Sequence, residues 1–323
     1  RSEQALMNAA TEETYLGLPP EQLAAIVQLT DESAFGGPLC TGVFLTSEWL
    51  VSAAHCLEIP SPHVILAAGS EEAVSLEVVE RASHPSADVA LFKIERSDAA
   101  PSFRPIAFAT PGDVDLSVDS VVELAGYGLT EAGDIRELRY LAEPIVELDD
   151  ESFVVNGFGA NGACLGDSGG PLLVRHATGP AIVAGVLSAG SASCLMRDRY
   201  IRLDALAEWV TTIAGAPAAG AETCGGITEE GRCLYGSAFH CDQQTLVAEP
   251  CSGELACGWD PESGGFRCVE AARAACVGVD SVGACRDDVV ESCRAGVLER
   301  EACSCGGVCR IDGKTGAPHC ADP

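Results

Sequence analysis

The chain has 323 residues, 47% of them hydrophobic, and carries 19 basic against 48 acidic side chains for a net charge of −29. That length admits two or three domains with cores of their own. The charge argues against nucleic acid, which needs a basic face, and no apolar run approaches the roughly 18 residues of a membrane span.

The start, "RSEQALMNAATEE", is polar and lacks the apolar stretch of a signal peptide. From about residue 21 to 203 the pattern reads as strands. "AAIVQL", "TGVFLT", "HVILAAG", "DVALFKI", "SVVELAGYG" and "AIVAGVLSAG" are short apolar or alternating runs separated by Gly, Pro and Asp. Many short strands with turn signals indicate an all-β barrel or sandwich. "DALAEWVTTIAG" follows, with Asp204 as a candidate cap and Leu206, Trp209, Val210 and Ile213 on one apolar stripe, so a closing helix is expected. The small-residue stretch "APAAGAE" reads as a linker.

Beyond the linker, cysteines stand at 224, 233, 241, 251, 257 and 268, and again at 276, 285, 293, 303, 309 and 320. Each of the second six lies 52 residues after its counterpart, and Gly226/Gly278, Gly231/Gly283, Leu246/Leu298, Glu249/Glu301 and Ser252/Ser304 repeat at the same offset. This is an internal duplication. Each copy is too small for a sufficient apolar core, so three disulfides per copy are expected, in any of 15 pairings. Cys305, whose counterpart is Gly253, is the odd thiol. The chain holds 17 cysteines with few histidines and no C-x₂-C zinc pairs, which points to disulfides. Export follows, to the extracellular space or to a bacterial periplasm or cell surface.

Ser168 lies in "GACLGDSGGPL". A serine hydroxyl needs a neighbouring base to take its proton, and the base needs an orienting acid. "WLVSAAHC" offers His55 at the end of an apolar strand, and "HPSADVALFKI" offers Asp88 at the mouth of another. Singly, each is commonplace: a lone histidine is usually structural, and Asp before a strand is usually a turn residue. Their order and contexts together mark a catalytic constellation.

In "LTSEWLVSAAHC", "DVALFKI" and "GDSGGPL", residues 21 to 214 resemble the trypsin/chymotrypsin-like serine proteases. The resemblance implies two six-stranded antiparallel β-barrels closed by a C-terminal helix, here followed by the two disulfide-rich modules. The roles it implies are those of the family, carried over by motif. Ser168 would attack the scissile carbonyl, His55 would act as base and then acid, and Asp88 would hold the His55 tautomer. The N–H groups of Gly166 and Ser168 would form the oxyanion hole, where a glycine keeps the turn free of a Cβ. Cys40 would pair with Cys56, and Cys164 with Cys194. "VLSAG", with Ser188, resembles the segment that pairs with the substrate backbone. Gly162 and Ala163 fall at the pocket floor, Gly190 leaves its mouth open, and Asp198 stands where the opposite side of the floor should be. An Asp there favours Arg or Lys in the substrate; pairing of Asp198 with Arg197 or Arg199 would leave a pocket for medium apolar residues instead.

The chain departs from the family in three places. The His55 to Asp88 interval is short, "SFVVNG" lacks a cysteine that many relatives carry, and no I-V-G-G start is present. In the family a freed amine pairs with the acid before the serine, here Asp167. No Lys or Arg occurs between Ser2 and Glu80, so Asp167 is expected to find its partner within the uncut chain. Glu71, Glu72, Glu77 and Glu80 lie where some relatives hold calcium; they read as a solvated acidic edge, and neither metal nor cofactor is expected.

The division expected is 1–20 N-terminal segment, 21–215 protease domain, 216–223 linker, 224–270 first repeat and 271–323 second repeat. The function expected is a secreted serine endopeptidase acting on protein or peptide. The competing reading is a silent protease fold that binds a protein or surface ligand through its repeats, as an adhesin would.

Overall fold

The computed structural model describes residues 6, 9–11, 15–31, 39–70, 72–95, 101–130, 137–176, 180–217, 224, 227–234, 236–272, 276–286, 288–303, 307–312 and 316–321. Cys305, Glu71 and much of the expected linker lie outside these residues.

After a one-turn helix, α1 (Pro20–Leu23), six strands close the first barrel: β1 (Ile26–Asp31), β2 (Cys40–Phe44), β3 (Trp49–Ser52), β4 (Pro62–Leu66), β5 (Val74–Ser83) and β6 (Ala90–Ile94). Their order is β1-β2-β3-β6-β5-β4, and β4 returns to pair antiparallel with β1. The wall is made of β-branched and large apolar residues whose inward members, such as Val27, Leu29, Phe44, Leu50 and Phe92, share one face by their register and are fully buried. Each such side chain contributes roughly 1.5–3 kcal/mol by leaving water.

The second barrel uses β7 (Ala107–Phe108), β8 (Val121–Gly126), β9 (Arg139–Leu148), β10 (Ser152–Asn156), β11 (Pro171–Arg175), β12 (Ala181–Ala189) and β13 (Arg197–Arg202). The order β11-β8-β9-β10-β13-β12 closes through a β11–β12 pairing, and β7 adds a short parallel pair on β12. The expected fold of two six-stranded antiparallel barrels is therefore present. β5 and β9 were not read as strands in the sequence, because β5 alternates Glu with apolar residues on a largely exposed strand and β9 contains Pro144.

The closing helix α2 spans Ala207–Ala214. The expected cap is corrected: a 3₁₀ turn over Asp204–Leu206 precedes α2, and Asp204 makes no capping bond. Its carboxylate is drawn instead into a paired interaction with Arg202, whose Nη2 lies 2.6 Å from Oδ2. A two-pronged guanidinium outcompetes a neutral backbone N–H for a carboxylate.

The two cysteine-rich repeats adopt one plan. The first forms a three-stranded sheet, β14 (Arg232–Leu234), β15 (Ser237–Asp242) and β16 (Thr245–Pro250), then a hairpin of β17 (Leu255–Asp260) and β18 (Gly265–Glu270). The second repeats it with β19 (Ala284–Arg286), β20 (Val289–Arg294), β21 (Val297–Ala302), β22 (Val308–Ile311) and β23 (Pro318–Ala321). Of the 15 open pairings the structure takes the same one twice. Cys224–Cys241, Cys233–Cys257 and Cys251–Cys268 are matched by Cys276–Cys293, Cys285–Cys309 and Cys303–Cys320, with separations of 17, 24 and 17 residues in both. The repeated glycine has a cause. A Cβ on Gly231 would stand 2.4 Å from the Phe239 carbonyl oxygen, and one on Gly283 2.6 Å from that of Glu291, its counterpart.

Together with Cys40–Cys56 and Cys164–Cys194, these bridges use sixteen of the seventeen cysteines and leave Cys305 without an intrachain cysteine to pair with. Thiol titration of denatured, unreduced protein should therefore give one reactive thiol per chain, or none with a covalent dimer. Several free thiols would contradict this pairing.

Candidate active site

The site lies between the barrels, where the end of β3, the entry to β6 and the β10–β11 loop converge. His55 sits on a one-turn 3₁₀ helix, Ala54–Glu58, directly after β3. Asp88 precedes β6, and the β3–β6 ladder runs up to the Ser52–Ala90 pair, which brings the two together. Asp88 Oδ2 lies 2.9 Å from His55 Nδ1, and Oδ1 accepts the His55 backbone N–H at 2.9 Å. A third donor was not foreseen in this role: Ser188 Oγ donates to Asp88 Oδ2 at 2.7 Å. The ladder register shifts between Leu187 and Ala189, so Ser188 bulges from β12 towards the acid.

Partial burial alone would raise the Asp88 pKa, but hydrogen bonds from the His55 ring, Ser188 and the His55 N–H hold it at about 2. The same Asp88 hydrogen bond raises His55 above its ordinary 6.5, against a smaller opposing effect of burial. The pair is thus an ionised acid orienting an imidazole whose Nε2 remains available. Cys40, His55 and Cys56 bring metal-ligand types of atom within 4.8 Å of one another. Both sulfurs belong to the Cys40–Cys56 disulfide, so no thiolate is present to bind an ion.

Ser168 enters from the second barrel. The buried Thr41, next to Cys40 on β2, fixes its loop: Thr41 N–H donates to the Ser168 carbonyl at 2.8 Å, and Thr41 Oγ1 donates to the Gly166 carbonyl at 2.9 Å. The Ser168 carbonyl oxygen lies 3.9 Å from Cys56 Sγ, beside His55. Among the described residues the N–H groups of Gly166 and Ser168 have no acceptor within the chain. Two such donors, on a turn whose Gly166 has φ 96°, are what an oxyanion requires. Ser168 Oγ and His55 Nε2 make no hydrogen bond in this structure; such contacts commonly tighten with substrate. Sequence reading missed Thr41, since a lone Thr in an apolar strand carries no signal until its partners are known.

The pocket residues come together as well. The side chain of Asp198 points into the barrel from β13 while Arg197 and Arg199 point out, as strand alternation requires. Arg197 pairs with Glu147, so the alternative of an Arg197–Asp198 pair is not realised. Asp198 accepts from Ala163 N–H at 2.6 Å and Ser191 N–H at 3.3 Å. A Cβ on Gly162 would lie 3.1 Å from one of its oxygens, and a Cβ on Gly190 2.8 Å from the other. The carboxylate therefore lies directly behind the gap left by these two glycines. Burial raises its pKa to about 6 against the lowering effect of the two N–H bonds. Cys164–Cys194 ties the Ser168 loop to the opposite wall.

Comparison with known proteins gives the same direction. Residues 19–210 match the family model described as Trypsin. The chain is 27% identical to serine protease SP24D of Anopheles gambiae, over 54% of this chain and 71% of that protein. It is 26% identical to an ovochymase of Halocynthia roretzi and 27% identical to transmembrane protease serine 9 of Rattus norvegicus. These matches cover 54% and 58% of this chain but only 13% and 21% of the two larger proteins. The matches do not bear on a bacterial periplasmic or cell-surface location.

Proposed function

The chain belongs to the trypsin family, and from that premise we propose that it is a secreted serine endopeptidase with Ser168, His55 and Asp88 as its catalytic triad. The observation that carries this reading is the His55–Asp88–Ser188 chain of hydrogen bonds at the junction that also holds the two open N–H groups. In the proposed reaction Ser168 Oγ attacks the scissile carbonyl as His55 Nε2 takes its proton. The oxyanion accepts from Gly166 and Ser168 N–H, and His55 then protonates the leaving amine. A water activated by His55 completes hydrolysis of the acyl-enzyme. Asp88 keeps the imidazole in the tautomer with its proton on Nδ1.

Asp198 behind the pocket floor supports a preference for Arg or Lys before the scissile bond. Eight disulfides among the described residues, none of whose helices is long and apolar enough to cross a membrane, support secretion. We propose the domain division 21–215 for the protease, with 224–270 and 271–323 as modules joined through 216–223.

The pH dependence tests the base. His55 is raised above 6.5, so it is protonated and idle below its pKa, and kcat/KM should climb as pH passes a midpoint above 6.5. Asp88 at about 2 stays ionised throughout. Substrates uncharged before the scissile bond keep Asp198 out of the profile. A midpoint at or below pH 6 would contradict His55 as the base.

A further inference from the structure

Asp167 takes no part in proton transfer, yet it is buried immediately before the nucleophile, with 1% exposure. Its carboxylate accepts three backbone N–H groups: from Gly128 at 2.7 Å, from Cys164 at 2.9 Å, and from Leu6. No cationic side chain among the described residues pairs with it. Gly128 and Cys164 belong to the barrel, but Leu6 belongs to the N-terminal segment.

The described residues of that segment are fastened at several points. Leu6 itself is buried in the second barrel's core. Ala10 and Tyr140 of β9 exchange both backbone hydrogen bonds, at 2.9 and 3.0 Å. Leu16 N–H donates to Glu123 Oε2 at 3.2 Å, and the Leu16 carbonyl accepts from Arg175 Nε at 3.1 Å. Glu123 and Arg175 are both buried, and Arg175 ends β11, the strand that leaves the Ser168 loop. Withdrawal of the segment would take a main-chain hydrogen bond from each of two buried charged side chains.

The first cysteine-rich module covers the segment from outside. Arg232 donates to the Tyr15 carbonyl, and its guanidinium lies 5.0 Å from the Tyr15 ring centre. Asp280 of the second module stands 3.5 Å from Arg232 Nε. At the 52-residue offset the counterparts of Arg232 and Asp280 are Ala284 and Thr228. The two copies thus differ at the residues that grip the segment, which sets this contact apart from the shared architecture of the repeat.

We propose that residues 6, 9–11 and 15–18, held on the second barrel and gripped at Tyr15 by the first cysteine-rich module, are a built-in activation ligand: Leu6 N–H stands at Asp167 in place of a freed terminal amine and holds the oxyanion-hole loop ready without a chain cut. The inference rests on the serine-peptidase reading above. Leu6 and Arg232 act through Asp167 and are positioning residues. A neutral N–H neutralises less than an ammonium would, in keeping with an Asp167 pKa that burial pushes up to about 7 despite its three donors.

The test uses the full chain. Leu6→Pro removes the N–H and Leu6→Ala keeps it. Leu6→Pro should lower kcat about 10- to 100-fold with little change in KM, as loss of one bond to a buried charge does. Leu6→Ala, which keeps the N–H but opens a cavity in the core, should lose less kcat than Leu6→Pro. Arg232→Ala should show a smaller loss confined to kcat, partly restored by Arg232→Lys, and it decides the matter should Leu6→Pro fail to fold. Intact mass of the active enzyme should show the peptide before Leu6 still attached. Wild-type kcat in both Leu6→Pro and Arg232→Ala overturns the proposal. So does activity that appears only after a cut between residues 2 and 18, whether or not the new terminus is Leu6. A chain silent both before and after such a cut would instead sink the serine-peptidase reading.

Discussion

Ser168→Ala is expected to abolish peptide hydrolysis, with kcat falling by roughly 10⁴- to 10⁶-fold, while the fold is retained. The bonds that hold the loop run through the backbone, from Thr41 N–H to the Ser168 carbonyl and from Gly170 N–H to the Asp167 carbonyl, so a methyl in place of the hydroxymethyl disturbs neither. His55→Ala should come close to the same loss, and the double variant should be hardly worse than either. Residues that act as one unit do not contribute additively. Asp88→Asn should cost about 10⁴-fold by favouring the wrong imidazole tautomer. Wild-type turnover in Ser168→Ala would remove the serine from the mechanism.

Asp198→Ala should convert the specificity. In the wild type, kcat/KM for Arg or Lys before the scissile bond should exceed that for Leu or Phe, and the variant should lose about 10²- to 10³-fold on basic substrates alone. That range is what a desolvated charge pair of roughly 3–5 kcal/mol provides when one partner is deleted. Apolar substrates should be cleaved as well or better, because the variant no longer keeps an unpaired carboxylate behind the Gly162–Gly190 gap. The sign of the pH effect is fixed by the raised pKa of about 6. Asp198 is ionised above it, so the wild-type preference for basic residues should weaken as pH falls through 6. A peptide library that shows Leu, Phe or Ala preferred in wild type and unchanged in Asp198→Ala would refute this role.

The barrel strands β1, β2, β6, β8 and β12 are legible in the residues because short, almost wholly buried apolar runs between turn formers have few other folded solutions. β5 and β9 are not, since their pairing is imposed by barrel closure and overrides the local pattern of Glu and Pro. His55, Asp88 and Ser168 are legible through their motifs, but Ser188 as a donor to Asp88 and Thr41 as the clamp of the serine loop depend on contacts across about 100 residues of chain. The duplication is written in cysteine spacing, whereas the choice among 15 pairings needs three-dimensional placement. Asp204 misleads as a cap because its competitor, Arg202, is a neighbour on the other side of a turn. The partner of Asp167 is the deepest omission. A backbone N–H has no sequence signature, so the role of Leu6 becomes visible only when the segment is seen against the second barrel.

The central claim is that Ser168 is an activated nucleophile, and reaction of the purified, folded chain with a radiolabelled or mass-tagged organophosphate tests it most directly. One adduct per chain, mapped by peptide sequencing to Ser168 and absent from protein unfolded beforehand, is the expected result. Absence of an adduct in folded protein, or an adduct on another residue with Ser168 unmodified, would contradict it.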